Sequence, residues 1–270
     1  MNFKALLAAG ALLATQSFAI VGVGFHYAPG FGTKMKAAEP ATIADKIELS
    51  HEGFDGMMQG FGFKAWVDIL PVIDIEATLN IQFGSYDASL WVENPSLDGQ
   101  VVKTEIPLEI ELGGTPFGKA NPKFVAMTGD LSITYPITFL PIIRPYIGGG
   151  LSYHLNSFVL NQKFACSFIQ PNTFEEVAAI ALDPTMDDAT KSQALQAKGQ
   201  EMKVQIQDKA VDEGLKTSIG GHILIGTRAK LPIIPIAAYA NFKYYIGGDY
   251  PEEIDSGNMT AEVGIGLAIE

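Results

Sequence analysis

The chain has 270 residues, 47% hydrophobic and 18% charged, with 28 glycines and a formal net charge of −12. This apolar content excludes a disordered chain, and the acidic balance excludes the basic face that nucleic acid requires. A single cysteine, Cys166, excludes an internal disulfide, so the fold must stand without one.

Residues 1–19, MNFKALLAAGALLATQSFA, carry an early cation at Lys4, an apolar core from Ala5 to Ala14, and Ser17-x-Ala19 ahead of Ile20. That is the pattern of a cleaved secretory signal, and its core is too short for a spanning helix. No Leu-x-x-Cys sits beside it, so a lipoprotein anchor is not expected. The mature domain is read as 20–270.

From Ile20 onward the chain is organised by a period of two. Val21, Val23, Phe25 and Tyr27 open it (strand 20–28). Phe61, Phe63, Ala65, Val67 and Ile69 oppose Gly62, Lys64, Trp66 and Asp68 (59–70). IDIEATLNIQFG (73–84) alternates without a break. The pattern returns over 124–135, 144–155, 218–230 and 235–246, and Val263, Ile265, Leu267 and Ile269 close it (259–269). Each stretch approaches the roughly 9–11 residues that cross a bilayer on a tilt.

Between the strands, short turns at LPVI (70–73), LPII (140–143) and LPII (231–234) alternate with long loops at 29–58, 85–123, 156–217 and 247–258. Short turns at one rim and long loops at the other predict an all-β, eight-stranded antiparallel up-and-down transmembrane β-barrel. Proline suits the turns because it fixes φ and needs no ladder partner. KTEIPLEIEL (103–112) also alternates but is interrupted by Pro107. Read as an extension of the second long loop, it leaves the strand number even.

Two features put the apolar face outside, not inside as in a soluble lipocalin-like carrier. The outward aromatics Phe25, Tyr27, Phe61, Phe63, Phe83, Tyr153, Phe242 and Tyr244 fall toward the long-loop rim, as in an interfacial girdle. The opposite face is rich in glycine (Gly22, Gly24, Gly148, Gly150, Gly226), which suits a narrow lumen. With these features the chain resembles the small OmpA-type and OmpW-type outer-membrane barrels over nearly its whole mature length. The resemblance implies the bacterial outer membrane, with its lipid and its assembly machinery as partners. The function expected is non-enzymatic, in envelope structure or surface interaction. A small channel for small or hydrophobic solutes and the soluble carrier are the alternatives. The end of the chain departs from the pattern: GIGLAIE lacks the final aromatic such barrels present to the assembly machinery. No peptidoglycan-binding module is expected after it.

At lumen parity stand the acids Asp68, Asp74, Glu76, Asp130 and Glu262 and the bases Lys64, Arg144, Arg228, Lys230 and Lys243. Most acids lie on early strands and most bases on late ones, so they are expected to pair across the lumen. Asp68 and Asp74 should meet Arg144, Arg228 and Lys230 near the inner rim, and Lys243 should fall opposite Glu262 if the last loop closes symmetrically. A salt-bridge plug is favoured over a gated pore, because side chains fill an eight-stranded lumen. The loops hold the excess negative charge. DYPEEID (249–255) offers oxygen donors to a divalent cation, though a solvated acidic loop is the plainer reading. Loop 156–217 reads as helical, with a capping box from Thr173 to Glu176 and a break at Asp183-Pro184. A helical cap on the exterior suits contact with an extracellular ligand.

His26, His154 and His222 share lumen parity near the outer mouth, and His154 and His222 flank one loop. No acid ligand is placed with them, so neither a metal nor another cofactor is expected. His51 has Ser50 and Asp55 nearby, but catalytic triads are assembled from distant segments. No catalytic residue is assigned.

Overall fold

The computed structural model describes residues 20–44, 46–68, 72–94, 102–107, 110–111, 119–120, 123–137, 143–157, 171–187, part of 189–205, 215–230, 234–255 and 257–269. Residues 1–19, read above as a secretory signal, most of the three proline turns and Cys166 lie outside the described residues. Eight long strands dominate: β1 (Ile20–Tyr27), β2 (Gln59–Asp68), β3 (Asp74–Ser85), β4 (Lys123–Pro136), β5 (Ile143–Ser157), β6 (Leu215–Lys230), β7 (Ile236–Gly247) and β8 (Met259–Ile269). Each pairs antiparallel with the next. The ring closes where β1 pairs β8, from Val21↔Ile269 to Tyr27↔Val263. Closure leaves no unpaired edge, the condition a sheet must meet in hydrocarbon.

The two faces of this barrel differ as a membrane requires. Outward side chains such as Val23, Leu151, Ile219, Ile225 and Ile265 are 57%, 66%, 74%, 60% and 67% exposed. Inward, Glu76, Lys243 and Glu262 are 0% exposed. An apolar skin over a charged interior is the inverse of a soluble carrier, which removes the lipocalin-like alternative. All eight aromatics read as a girdle point outward. Phe25, Phe61, Phe63 and Phe83 form one patch across β1–β3, with Phe25 and Phe63 at 5.4 Å between ring centroids.

Glycines at lumen parity make room for large inward rings. A Cβ on Gly22 would lie 2.1 Å from the indole of Trp66, which is directly opposite in register. A Cβ on Gly226 would come within 2.6 Å of the Tyr146 ring. Gly22→Val is therefore expected to destabilise the barrel by about 1–3 kcal/mol or more. The urea midpoint of its heat-modifiable gel band should fall; an unchanged midpoint would mean that Trp66 has another place to go.

The long loops are folded. Ala38–Ala44, Ile47–His51, Ala88–Asn94 and Val102–Pro107 form a separate four-stranded antiparallel sheet, with Val102–Pro107 at one edge. The 103–112 stretch thus contributes no ninth barrel strand: its described residues pair above the barrel. Ile47, Leu49, Leu90 and Val92 point to one face of this sheet. There they share an apolar core with Met35, Met58, Tyr86, Val177, Leu195 and Ile254. Phe124 and Ala126, the inward residues at the outer end of β4, belong to the same core. The first, second, third and fourth long loops therefore build one cap, seated on the barrel's outer mouth.

Helix α1 (Pro171–Leu182) lies in this cap, and the described residues of 189–205 are helical. The capping-box reading is corrected. The helix begins at Pro171, which suits a first-turn position without a hydrogen-bonding N–H. Thr173 is therefore already inside the first turn, where its hydroxyl accepts from Gln205 at 3.3 Å. Asp183 does act at the break: its side chain accepts from the Thr185 N–H at 2.8 Å, an Asx-type turn after the helix.

Candidate functional site

The lumen holds one connected polar network. At its inner end, Asp68 accepts from Arg144 at 3.1 Å and from Arg228 at 2.8 Å, and Asp74 lies 3.8 Å from Arg228. Arg228 also donates to Glu76 at 2.5 Å, and Glu76 pairs with Lys64 at 2.6 Å. The guanidinium rests 4.7 Å from the centroid of the Trp66 ring, a cation–π contact inside the protein. Lys64 donates to the Tyr146 hydroxyl at 3.0 Å, and Tyr146 donates to Asn241 at 2.5 Å. Glu262 then accepts from Asn241 at 2.7 Å and Asn80 at 2.8 Å, and pairs with Lys243 at 2.7 Å. Lys243 continues to Asp130 at 2.8 Å. Lys230, the last residue of β6, is half-buried at the inner rim.

The register between β7 and β8 sets Lys243 opposite Thr260, and Glu262 opposite Asn241. Lys243 and Glu262 therefore meet diagonally and not as direct partners, with the long lysine chain spanning the two-residue offset. Two ring nitrogens gain fixed roles from the same bookkeeping of protons. Ser152 commits its hydroxyl hydrogen to Asp130 at 2.8 Å, so it can only accept from His222 Nδ1 at 2.8 Å. Asn80 donates through Nδ2 to Glu262, so its Oδ1 accepts from His26 Nε2 at 2.6 Å. Ser132 lies 2.8 Å from His222 Nε2.

Ser132, His222 and Asp130 thus form a serine–histidine–aspartate line, which sequence reading missed because serines at lumen parity carry no pattern of their own. Ser132 is 0% exposed and Asp130 meets the histidine through Ser152, so the line is a strand-to-strand tie without access for a substrate. His154 hydrogen-bonds Thr128 at 3.3 Å, and the Tyr245 ring contacts both His154 and His222, at 5.4 and 6.0 Å between centroids. Among the described residues, no group of three or more His, Cys, Asp or Glu side chains is arranged to hold a metal ion.

Outside the barrel, the Ser50, His51 and Asp55 trio is dispersed. Ser50 accepts from Trp91 Nε1 at 2.7 Å, His51 Nδ1 bonds the Glu52 carbonyl at 3.1 Å, and Asp55 pairs with Lys34 at 2.8 Å. The acidic stretch 249–255 is tied into the cap: Ile254–Asp255 pairs with Lys34–Met35, and Asp255 meets Lys36 at 3.3 Å. Within the cap, burial pushes the Tyr250 phenol above its ordinary value. Hydrogen bonds that Lys198 donates to the Glu176 and Glu201 carboxylates hold it more firmly protonated than usual.

No family model and no curated protein matches the chain. Among solved structures, it is similar to the attachment invasion locus protein Ail of Yersinia pestis, at 8% identity and a TM-score of 0.40, over 93% of this chain and 99% of that one. It is similar to the outer membrane protein OprG from Pseudomonas aeruginosa at 11% identity and a TM-score of 0.44, over 93% and 96%. A third likeness is to Neisserial surface protein A, at 12% identity and a TM-score of 0.38, over 93% and 95%. The strand pairing and the two opposed faces identify the architecture by themselves. The chain is a small eight-stranded β-barrel of the outer-membrane type, filled by its own paired charges and closed at the outer mouth by a folded cap.

Proposed function

We propose that this protein is a non-enzymatic, non-conducting barrel of the bacterial outer membrane, exported by its N-terminal signal and inserted by the outer-membrane assembly machinery. Its lumen is a structural plug, and its job is to hold the cap at the cell surface, for envelope structure or for contact with an extracellular ligand. The observation that carries this reading is the connected buried network from Asp68 to Asp130, two groups of ion pairs joined by the Tyr146–Asn241 hydrogen bonds, lying beneath a cap core that reaches into the mouth through Phe124 and Ala126. A water-filled channel would leave those charges wet, whereas Glu76, Lys243 and Glu262 are wholly enclosed. The inaccessible Ser132 supports a role without catalysis.

Planar-bilayer recording tests the reading. The refolded wild-type protein should give no resolved single-channel steps. Steady steps whose size or ion preference changes in Arg228→Glu or Asp74→Lys would overturn the plug in favour of a small-solute channel.

A further inference from the structure

The chain's two tryptophans have opposite surroundings. Trp66 is enclosed in the lumen, with the Arg228 guanidinium 4.7 Å and the Tyr239 ring 5.8 Å from its ring centroid. Trp91 stands in the cap, in the middle of strand Ala88–Asn94. Its neighbours Leu90 and Val92 point into the cap core, so the indole is on the opposite face of the cap sheet. That core includes Phe124 and Ala126 of the barrel mouth, so the Trp91 face is turned away from the mouth. Trp91 is partly exposed there, and among the described residues neither a ring nor a cation stacks on it.

The groups around this indole are held by bonds between strands. Trp91 donates from Nε1 to Ser50 Oγ at 2.7 Å, which fixes the ring's orientation on the sheet. In register it is flanked directly by Glu48 and Glu105. Ser89 donates to Glu105 Oε1 at 2.6 Å. Lys103 pairs with Glu48 at 2.7 Å, reaching diagonally across Trp91's own strand. Glu48 and Glu105 are two strand spacings apart, about 10 Å, with Trp91 between them. An aromatic face, two carboxylates and an ammonium are therefore preset, and a ligand meets little ordering cost.

We infer that this face is a binding site for a neutral saccharide presented from outside the cell. The assignment rests on the surface display of the cap proposed above. The C–H face of a pyranose is weakly positive and stacks on the negative π face of an indole. Its hydroxyls donate to carboxylates and accept from an ammonium. Other chemistries fit less well. An organic cation finds one ring where a cage of several is used, with the Lys103 ammonium close by. Sulfated or uronic glycans meet the carboxylates of Glu48, Glu93 and Glu105 against only Lys46 and Lys103, on a chain of net charge −12.

The test is an array of chitotetraose, cellotetraose, maltotetraose and a heparin hexasaccharide. It is probed with the whole protein, fluorescently labelled and refolded in lauryldimethylamine oxide, a detergent without a sugar headgroup. Wild type should be retained on at least one neutral tetrasaccharide and not on heparin. Titrated with that sugar, Trp91→Ala should bind about tenfold or more weakly. Glu105→Gln should weaken binding about threefold or more. Glu105 is exposed and outside the cap core, so this variant keeps the result independent of cap folding. Retention on heparin alone, on no sugar, or undiminished in Trp91→Ala would overturn the site. So would competition by the cell's own lipopolysaccharide, which would make membrane sugars the occupant. Display of the cap is read separately, from Glu52→Cys in a Cys166→Ser background, treated on intact cells with a membrane-impermeant maleimide. Glu52 is exposed at the end of cap strand Ile47–His51. Labelling without sugar retention would sink the saccharide site alone, whereas no labelling would sink the surface display on which it rests.

Discussion

Lys243→Met should destabilise the barrel by about 3–5 kcal/mol, the usual consequence of removing one partner from a buried ion pair. Lys243 is wholly enclosed and holds two carboxylates at once, Asp130 at 2.8 Å and Glu262 at 2.7 Å. Without it, both acids remain enclosed, and Glu262 is left with the amides of Asn80 and Asn241 and with His26 Nε2 at 4.0 Å. Against a total stability of about 5–15 kcal/mol, this is a large fraction. At a urea slope of about 2 kcal/mol/M, the midpoint of the heat-modifiable band should drop by about 2 M. The origin of the loss can be isolated. If the uncompensated acids cause it, Lys243→Met combined with Asp130→Asn and Glu262→Gln should recover most of the midpoint, because the well-packed neutral cluster no longer contains a lone charge. A single variant as stable as wild type, or a triple variant no better than the single one, would show that the lumen tolerates these charges by letting water in, and the plug would have to be abandoned.

The parts of this molecule legible in its sequence are those governed by a local period. Membrane strands must show one face to lipid over many consecutive residues, so the alternation of Ile73, Ile75, Ala77, Leu79, Ile81 and Phe83 marks β3 without reference to any other strand. The same parity sorts Lys64, Asp68 and Glu262 into the lumen. Which of them meet is a different matter, since partners depend on the relative stagger of strands, a property of the closed ring. Lys243 therefore opposes Thr260 while reaching diagonally to Glu262. Glu76 becomes the centre of the inner cluster through Arg228 and Lys64. The cap was illegible for a further reason. Its strands, such as Ile47–His51 and Ala88–Asn94, do alternate, but they are shorter than a bilayer crossing and so read as loop. Their core depends on residues as far apart as Met35 and Ile254, which no local pattern connects.

Leu90→Ala should separate the cap from the barrel energetically. Leu90 is 1% exposed, and its neighbours in register are Leu49 and Ile106 on the two flanking strands of the cap sheet. Truncating such a core leucine typically removes about 2–5 kcal/mol. The loss falls on the cap because its sheet forms no ladder with the barrel, whereas each barrel strand is hydrogen-bonded on both sides around a closed ring. Cap opening is then a sub-global event with its own free energy. Where opening and closing outpace cleavage, proteolysis reports the open population, so 2 kcal/mol corresponds to at least about a thirtyfold faster cut. Trypsin added to intact cells should cleave Leu90→Ala at Lys46 or Lys103, both in the cap sheet's own segments, and leave a fragment set that still migrates as a folded barrel until heated. The wild-type protein should resist under the same conditions. If Leu90→Ala lowers the barrel's urea midpoint as much as it raises the cleavage rate, cap and barrel are a single cooperative unit. In that case the cap is part of what keeps the lumen shut, and loop contacts outside the cell would be felt directly by the ion pairs within.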